Sequence, residues 1–242
     1  MKTIVHTADS RGFANHGWLQ ANHSFSFANF FNPDKINFGA LRVLNDDLIA
    51  PSMGFSTHPH NNMEIITIPL KGELKHRDSM SDDWQSVLPG EVQVMSAGTG
   101  VFHSEINGSS KEHLSLFQIW IMPDEQNVEP RYDQKIFAED DRKNRLQTVV
   151  AGFDSSEKEA LKIHQDARIS RIDLEEGQKF SYPTLSAGHG VYLMVVHGEL
   201  ELNGHQLQQR DAAGISETDT FEITAKKDTS LLFIEVPMIG LN

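Results

Sequence analysis

At 242 residues, 38% of them hydrophobic, the chain can bury one large β-rich core or two smaller ones without covalent staples. It has no cysteine, which excludes disulfides, thiolate metal sites and cysteine nucleophiles. A formal charge of −13, from 34 acidic and 21 basic residues, argues against nucleic acid or an anionic membrane surface as a direct partner.

The first residues, Met1-Lys2-Thr3-Ile4-Val5-His6, lack the apolar run of a secretory signal. No stretch approaches the roughly eighteen apolar residues of a membrane span, so a cytoplasmic location is expected. Residues 9–19, punctuated by Gly, Asn and His, read as loop. Phe25 and Phe27 alternate with small polar residues, which predicts a half-buried strand. Residues 38–44 predict another, ended by Asn45-Asp46-Asp47.

Next come the residues that carry chemistry: His58 and His60, then His103 and Glu105, each pair spaced i, i+2. In a strand such side chains share a face, roughly 6–7 Å apart. If the two strands face each other, three imidazoles and a carboxylate converge. That donor set suits a divalent first-row metal without choosing among iron, copper, nickel, manganese and zinc. Gly72, Pro89-Gly90 and the small-residue run Ser96-Ala97-Gly98-Thr99-Gly100 lie between the pairs. The layout resembles the two cupin motifs, His-x-His-x3-Glu-x7-Gly from His58 to Gly72 and Gly98-x-Gly100-x2-His103-x3-Asn107. It departs from them in placing Gly54 only four residues before His58, and Gly98 where proline is common.

Glu64 is the competing carboxylate. Counted from His60 its parity is right, but it stands roughly 13 Å further along a regular strand, and only a bulge would return it. Glu105 needs no distortion and is the expected ligand, leaving Glu64 a supporting or structural part. His16 and His23 are candidates to lie beside the metal, against the plainer reading of hydrogen-bonded structural histidines.

From Met63 onward short strands are predicted at 64–70, 73–77, 92–96 and 114–122, with turn residues between them and no helical periodicity of useful length. This is the pattern of an all-β sandwich or barrel. Residues 123–145, with Pro123, Pro130 and acidic clusters, read as a crossover, which divides the chain into 1–135 and 136–242. The second part repeats the first in outline, sharing Gly-Glu-Leu at Gly72 and Gly198, with a hairpin signal at Asn203-Gly204. Alignment on those glycines sets Thr184 and Ser186 opposite His58 and His60. Matching Gly90-Glu91 with Arg210-Asp211 sets Ile223 and Ala225 opposite His103 and Glu105. None of the four is a ligand, so a second barrel without a metal site, and one metal per chain, are expected. His197-Gly198-Glu199 copies the spacing of His103 and Glu105 but has no His-x-His pair to face.

Two cupin-like halves with ligands only in the first is similar to the pirin family. Residues 11–19 (RGFANHGWL), 23–29 (HSFSFAN), 57–60 (THPH), 95–100 (MSAGTG), 103–105 (HSE) and 118–121 (QIWI) all look like pirin signatures. Among pirins the chain resembles the bacterial branch, several of whose members are described as quercetin 2,3-dioxygenases. The resemblance implies a bicupin, two tandem cupin-type β-barrels, whose metal ligands are His58, His60, His103 and Glu105, with iron the usual metal. It also implies a dioxygenase that opens the heterocycle of quercetin-like flavonols, taking a small aromatic substrate and dioxygen, and a monomer is expected. In that reading Glu105 is the catalytic acceptor of the substrate hydroxyl proton, and Phe55, Met95 and Phe102 are candidates for apolar walls. The alternative it leaves open is a regulatory or binding protein whose metal state sets a surface for a partner.

Overall fold

The computed structural model describes residues 1–238, Asp82 by its backbone alone. Among the described residues there is no α-helix, only strands and two short 3-10 turns, Ala8–Ser10 and Glu139–Arg142. No helix is long and apolar enough to cross a membrane.

The strands form two barrels, each a seven-stranded sheet closed by a four-stranded one. In the first, the large sheet runs Arg131–Ile136, Glu91–Ser96, Glu64–Lys71, Leu114–Ile121, Leu41–Ile49, Leu19–His23, Gly12–Asn15. Its small sheet runs Gly54–His60, Val101–Asn107, Leu74–Asp78, Ser81–Val87. The second barrel repeats this order, with Lys179–Pro183, Thr220–Ala225, Glu199–Leu202 and His205–Gln208 as its small sheet. Strands from Gly12 to Ile136 build the first barrel, with Arg131–Ile136 inside the stretch expected as crossover, and strands from Gln147 to Pro237 build the second, the exception being the first strand. Lys2–His6 belongs to the second barrel, paired antiparallel with Ala212–Ser216.

The two large sheets pack face to face. Leu41, Leu44, Ile66, Ile68, Phe117 and Ile119 of the first barrel share one buried cluster with Ile169, Tyr192, Met194, Leu232 and Ile234 of the second. This explains why Glu64–Lys71 reads as a continuous apolar run: one face meets the other barrel and the opposite face lines its own interior.

Several local expectations are corrected. Residues 9–19 contain a strand, Gly12–Asn15, paired with Leu19–His23. The Phe25/Phe27 alternation is not a strand. The chain turns there, with a bridge between Phe27 and Phe30 and Ala28 at φ 49. Phe25 anchors the layer between barrels while Phe27 reaches the first barrel's cavity. Asn45-Asp46-Asp47 does not end its strand, which continues to Ile49 with those three polar residues at its centre.

Strand register also corrects the comparison of the two halves by two residues. His58 pairs with His103 in the first barrel, and the matching pair in the second is Tyr182 with Phe221. Glu105 pairs with His76, and the matching pair is Ile223 with Leu202. Thr184 thus corresponds to His60 rather than His58, Ile223 to Glu105, and Ala225 to Asn107. The cause is loop length. The connection from Lys179–Pro183 to His189–His197 is longer than its counterpart, and the one from Ala212–Ser216 to Thr220–Ala225 is shorter. Tyr182 and Phe221 stack at 5.3 Å in a largely apolar interior that includes Ile172, Leu193, Ile223 and Phe233, with a buried Glu235 that accepts from Tyr182 Oη at 2.9 Å and pairs with Arg168 at 2.8 Å.

The pairing of Gly54–His60 with Val101–Asn107 is close enough that only glycine fits at its start. A Cβ on Gly54 would lie 2.1 Å from the Glu105 carbonyl oxygen and 2.5 Å from Ile106 Cα. Gly54→Ala is expected to lower unfolding free energy by about 1–3 kcal/mol, as overpacking does, and to reduce metal content by displacing His58 from His103. Urea unfolding and elemental analysis of the variant check both. Wild-type values in each would show that this strand pair does not set the site.

Candidate metal centre

His58 and His60 come from the Gly54–His60 strand, and His103 and Glu105 from its neighbour Val101–Asn107. The pairing carries a bulge. His103 faces His58 but Glu105 faces Phe55, so three steps on one strand oppose two on the other. The extra residue turns Phe55 into the barrel, where it packs edge-on against Trp18 at 5.2 Å. It also presents the Ser56 carbonyl to His58.

The three imidazoles converge, each offering a nitrogen within 4.8 Å of the others. His58 Nε2 and His103 Nε2 are 2.9 Å apart. Hydrogen bonds on the far side of each ring fix what those nitrogens present. His58 Nδ1 donates to Ser56 O at 2.8 Å, which leaves its Nε2 a bare lone pair. His103 Nδ1 lies 3.2 Å from Nε2 of His76, whose Nδ1 is 3.8 Å from Asp78 Oδ2. The Asp78 carboxylate favours a proton on His76 Nδ1 by charge rather than by a hydrogen bond; in that tautomer His76 Nε2 accepts from His103 Nδ1–H, and His103 Nε2 is bare too. Two inward lone pairs at this distance repel unless a cation lies between them. His76 also stacks on Tyr132 at 4.9 Å and 17°. Sequence reading missed His76 and Asp78, although their i, i+2 spacing opposite Glu105 and His103 is the same signal that marked the ligands.

Burial, and then the neighbouring His58, hold His60 at about 4. Burial, and then His58, His60 and His76, hold His103 at about 2. Both therefore stay neutral, the form that binds a metal, throughout the neutral range. Glu105 lines the same cavity without joining the group of nitrogens that lie within 4.8 Å of one another. Its Oε2 accepts from Gln118 Nε2 at 2.9 Å, across the barrel from the large sheet. Its Oε1 is buried with no partner. Burial, opposed by the Gln118 and Thr67 hydrogen bonds, pushes Glu105 up to about 7. Three converging imidazoles and an orphaned carboxylate oxygen in one cavity fit a divalent cation, which would draw the Glu105 proton off.

These groups share a cavity of about 430 Å³ with Trp18, Phe27, Phe55 and Trp120, within the usual range for small-molecule sites. His23 lies in it, its Nδ1 2.9 Å from Asn45 Oδ1, whereas His16 is exposed in a turn. Of the candidate walls, Phe55 lines the cavity, Met95 packs with Ile65, Ala97 and Val101, and Phe102 is 56% exposed. Glu64 is elsewhere. The Asn61–Met63 turn restarts the strand parity, so Glu64 shares a face with Ile66 and Ile68, toward the second barrel. There its Oε2 accepts from Ser96 Oγ at 2.7 Å.

A family model described as Pirin matches residues 5–121, and one described as Quercetinase C-terminal cupin domain matches residues 149–236. A curated relative from Escherichia coli K12, named quercetin 2,3-dioxygenase, is 42% identical over 96% of this chain and 97% of its own. The chain belongs to the pirin family. A pirin-like protein of Caulobacter vibrioides is also 42% identical, over 94% of this chain and 96% of its own. The solved structure of the bacterial pirin YhhW from Escherichia coli, in complex with nickel(II), superposes with a TM-score of 0.91 at 39% identity. It covers 98% of this chain and 100% of that one.

Two comparisons test the site in this pirin. Glu105→Gln is expected to lose metal while Glu64→Gln retains it, read by elemental analysis. Burial raises Glu64 to about 7 from an ordinary 4.5, so its contribution to stability is complete below about 4.5 and is lost as pH rises to about 7. Glu64→Gln should therefore gain stability relative to wild type across that window, measured by urea unfolding at stepped pH. His76→Phe, which keeps the ring but not the acceptor, should weaken metal binding about 10–100-fold, with His76→Gln restoring much of it. Equal affinity in all three proteins would show that the Asp78–His76 chain does not orient His103.

Proposed function

We propose that the protein is a metal-dependent dioxygenase that opens the heterocycle of quercetin-like flavonols, with His58, His60, His103 and Glu105 holding one divalent metal, iron in its working form. The observation that carries this reading is the convergence of three imidazole nitrogens in a cavity walled by aromatic rings, where Glu105 keeps a buried Oε1 without a partner. The names of the curated relatives support the same reaction class.

Each part of the cavity has a task. When bound, the metal supplies a Lewis acid for an ionised hydroxyl and a template for dioxygen. Trp18, Phe55 and Trp120 offer flat apolar faces to a planar ligand and keep water from its reacting edge. Glu105 accepts the proton of the flavonol 3-hydroxyl while Gln118 holds its Oε2 in place. Ser56 and His76 hold the His58 and His103 rings in the orientation that turns one nitrogen of each inward.

Iron-reconstituted protein should consume oxygen on addition of quercetin, with loss of the flavonol absorbance. His103→Ala should abolish both while the barrels remain folded by circular dichroism. No oxygen uptake with iron, nickel, copper or manganese in the site would overturn the enzymatic reading.

A further inference from the structure

The Leu41–Ile49 strand carries two adjacent acidic residues in opposite situations. Asp46 faces the layer between barrels, where Arg11 Nη1 at 3.2 Å and Arg210 Nε at 2.9 Å both reach its Oδ2. Asp47 points the other way, into the first barrel, as strand alternation requires. It is 4% exposed and lines the metal cavity, and its Oδ1 has no hydrogen-bond partner. The reaction outlined above does not use it.

A buried carboxyl without a partner destabilises the fold that contains it. The second barrel shows that the architecture does not need one. Asp47 pairs with Leu116 in the first barrel, and the matching pair in the second is Ile172 with Leu231, where Ile172 belongs to the apolar interior. The carboxyl is therefore suited to something that enters the cavity. Its place in the site is also distinct. The imidazoles and Glu105 come from the small sheet, while Asp47 comes from the large sheet across the cavity. Its strand neighbour Asn45 is already engaged with His23. Burial, and then Asp46 and Glu105, push Asp47 up to about 8, so near neutral pH it can donate as well as accept.

We propose that Asp47 determines specificity by hydrogen-bonding a second hydroxyl of the aromatic ligand, across the cavity from the metal, so that polyhydroxylated flavonols are selected over those with a single hydroxyl. The inference rests on the flavonol reading above and names which flavonols it covers.

The test measures binding without turnover. Zinc-loaded protein, which does no redox chemistry, is titrated with quercetin and with 3-hydroxyflavone, following tryptophan fluorescence. Wild type should prefer quercetin by roughly tenfold or more, as expected when a buried polar group loses its partner. Asp47→Leu should erase that preference at unchanged zinc content, and Asp47→Asn should keep part of it. Both variants should unfold at higher temperature than wild type in the absence of ligand, a response that a structural role for the carboxyl would reverse. If Asp47→Leu retains the preference, or unfolds at lower temperature, the anchor is wrong and the dioxygenase reading stands. If wild type binds neither flavonol, both fall together.

Discussion

The antiparallel pairing of Gly54–His60 with Val101–Asn107 is the constraint on which the rest of the molecule depends. It sets His58 opposite His103, and a single extra residue in the first strand turns Phe55 inward and frees the Ser56 carbonyl to hold the His58 ring. The neighbouring Leu74–Asp78 strand then brings His76 and Asp78 up behind His103. Three adjacent strands thus supply both the converging nitrogens and the hydrogen bonds that orient their rings. A metal site of this kind is a property of strand register more than of any one histidine.

Such a site is a burden on its own barrel. A layer of imidazoles, carboxyls and amides divides the first interior into two small apolar clusters, one around Ile49, Leu74 and Leu116, the other around Ile65, Met95 and Val101. The second barrel has the same topology with Tyr182, Phe221, Ile223, Phe233 and Leu193 where the first has His58, His103, Glu105, Gln118 and Thr67, and the apolar residues of its interior form one continuous cluster. The largest cluster lies between the barrels. The apolar area that compensates for a polar cavity is therefore supplied from outside it, by a second copy of the fold pressed against the back of the first barrel's large sheet. The first strand, Lys2–His6, fastens the two together by joining the second barrel's sheet before the chain builds the first.

Strand alternation sorts the acidic groups with the same economy. Asp46 and Asp47 are neighbours in sequence, yet one lies between two guanidiniums and the other in the first barrel's cavity. Glu64 and Glu105 are similarly divided, one toward the second barrel and one toward the metal centre. Burial raises Asp47, Glu64 and Glu105 alike, so a perturbed carboxyl by itself does not identify the working one. What distinguishes Glu105 is the company of three imidazoles.

Much of this was legible in the chain itself. Strand side chains repeat every two residues, so His-x-His and His-x-Glu announce convergent donors wherever two strands pair, and short strands separated by turn residues announce a barrel. The absence of cysteine and the acidic balance excluded whole classes of chemistry before any fold was known. Tertiary structure decided the matters that depend on where a count of two restarts. The turn before Glu64 removed that residue from the site. Loops of unequal length moved the comparison of the halves by two residues. A polar triplet that looked like a strand's end proved to be its middle, with Asp47 in the cavity. His76, Asp78 and Gln118 became visible only once neighbouring strands were in register, because a hydrogen bond across a barrel joins residues whose separation in sequence carries no period at all.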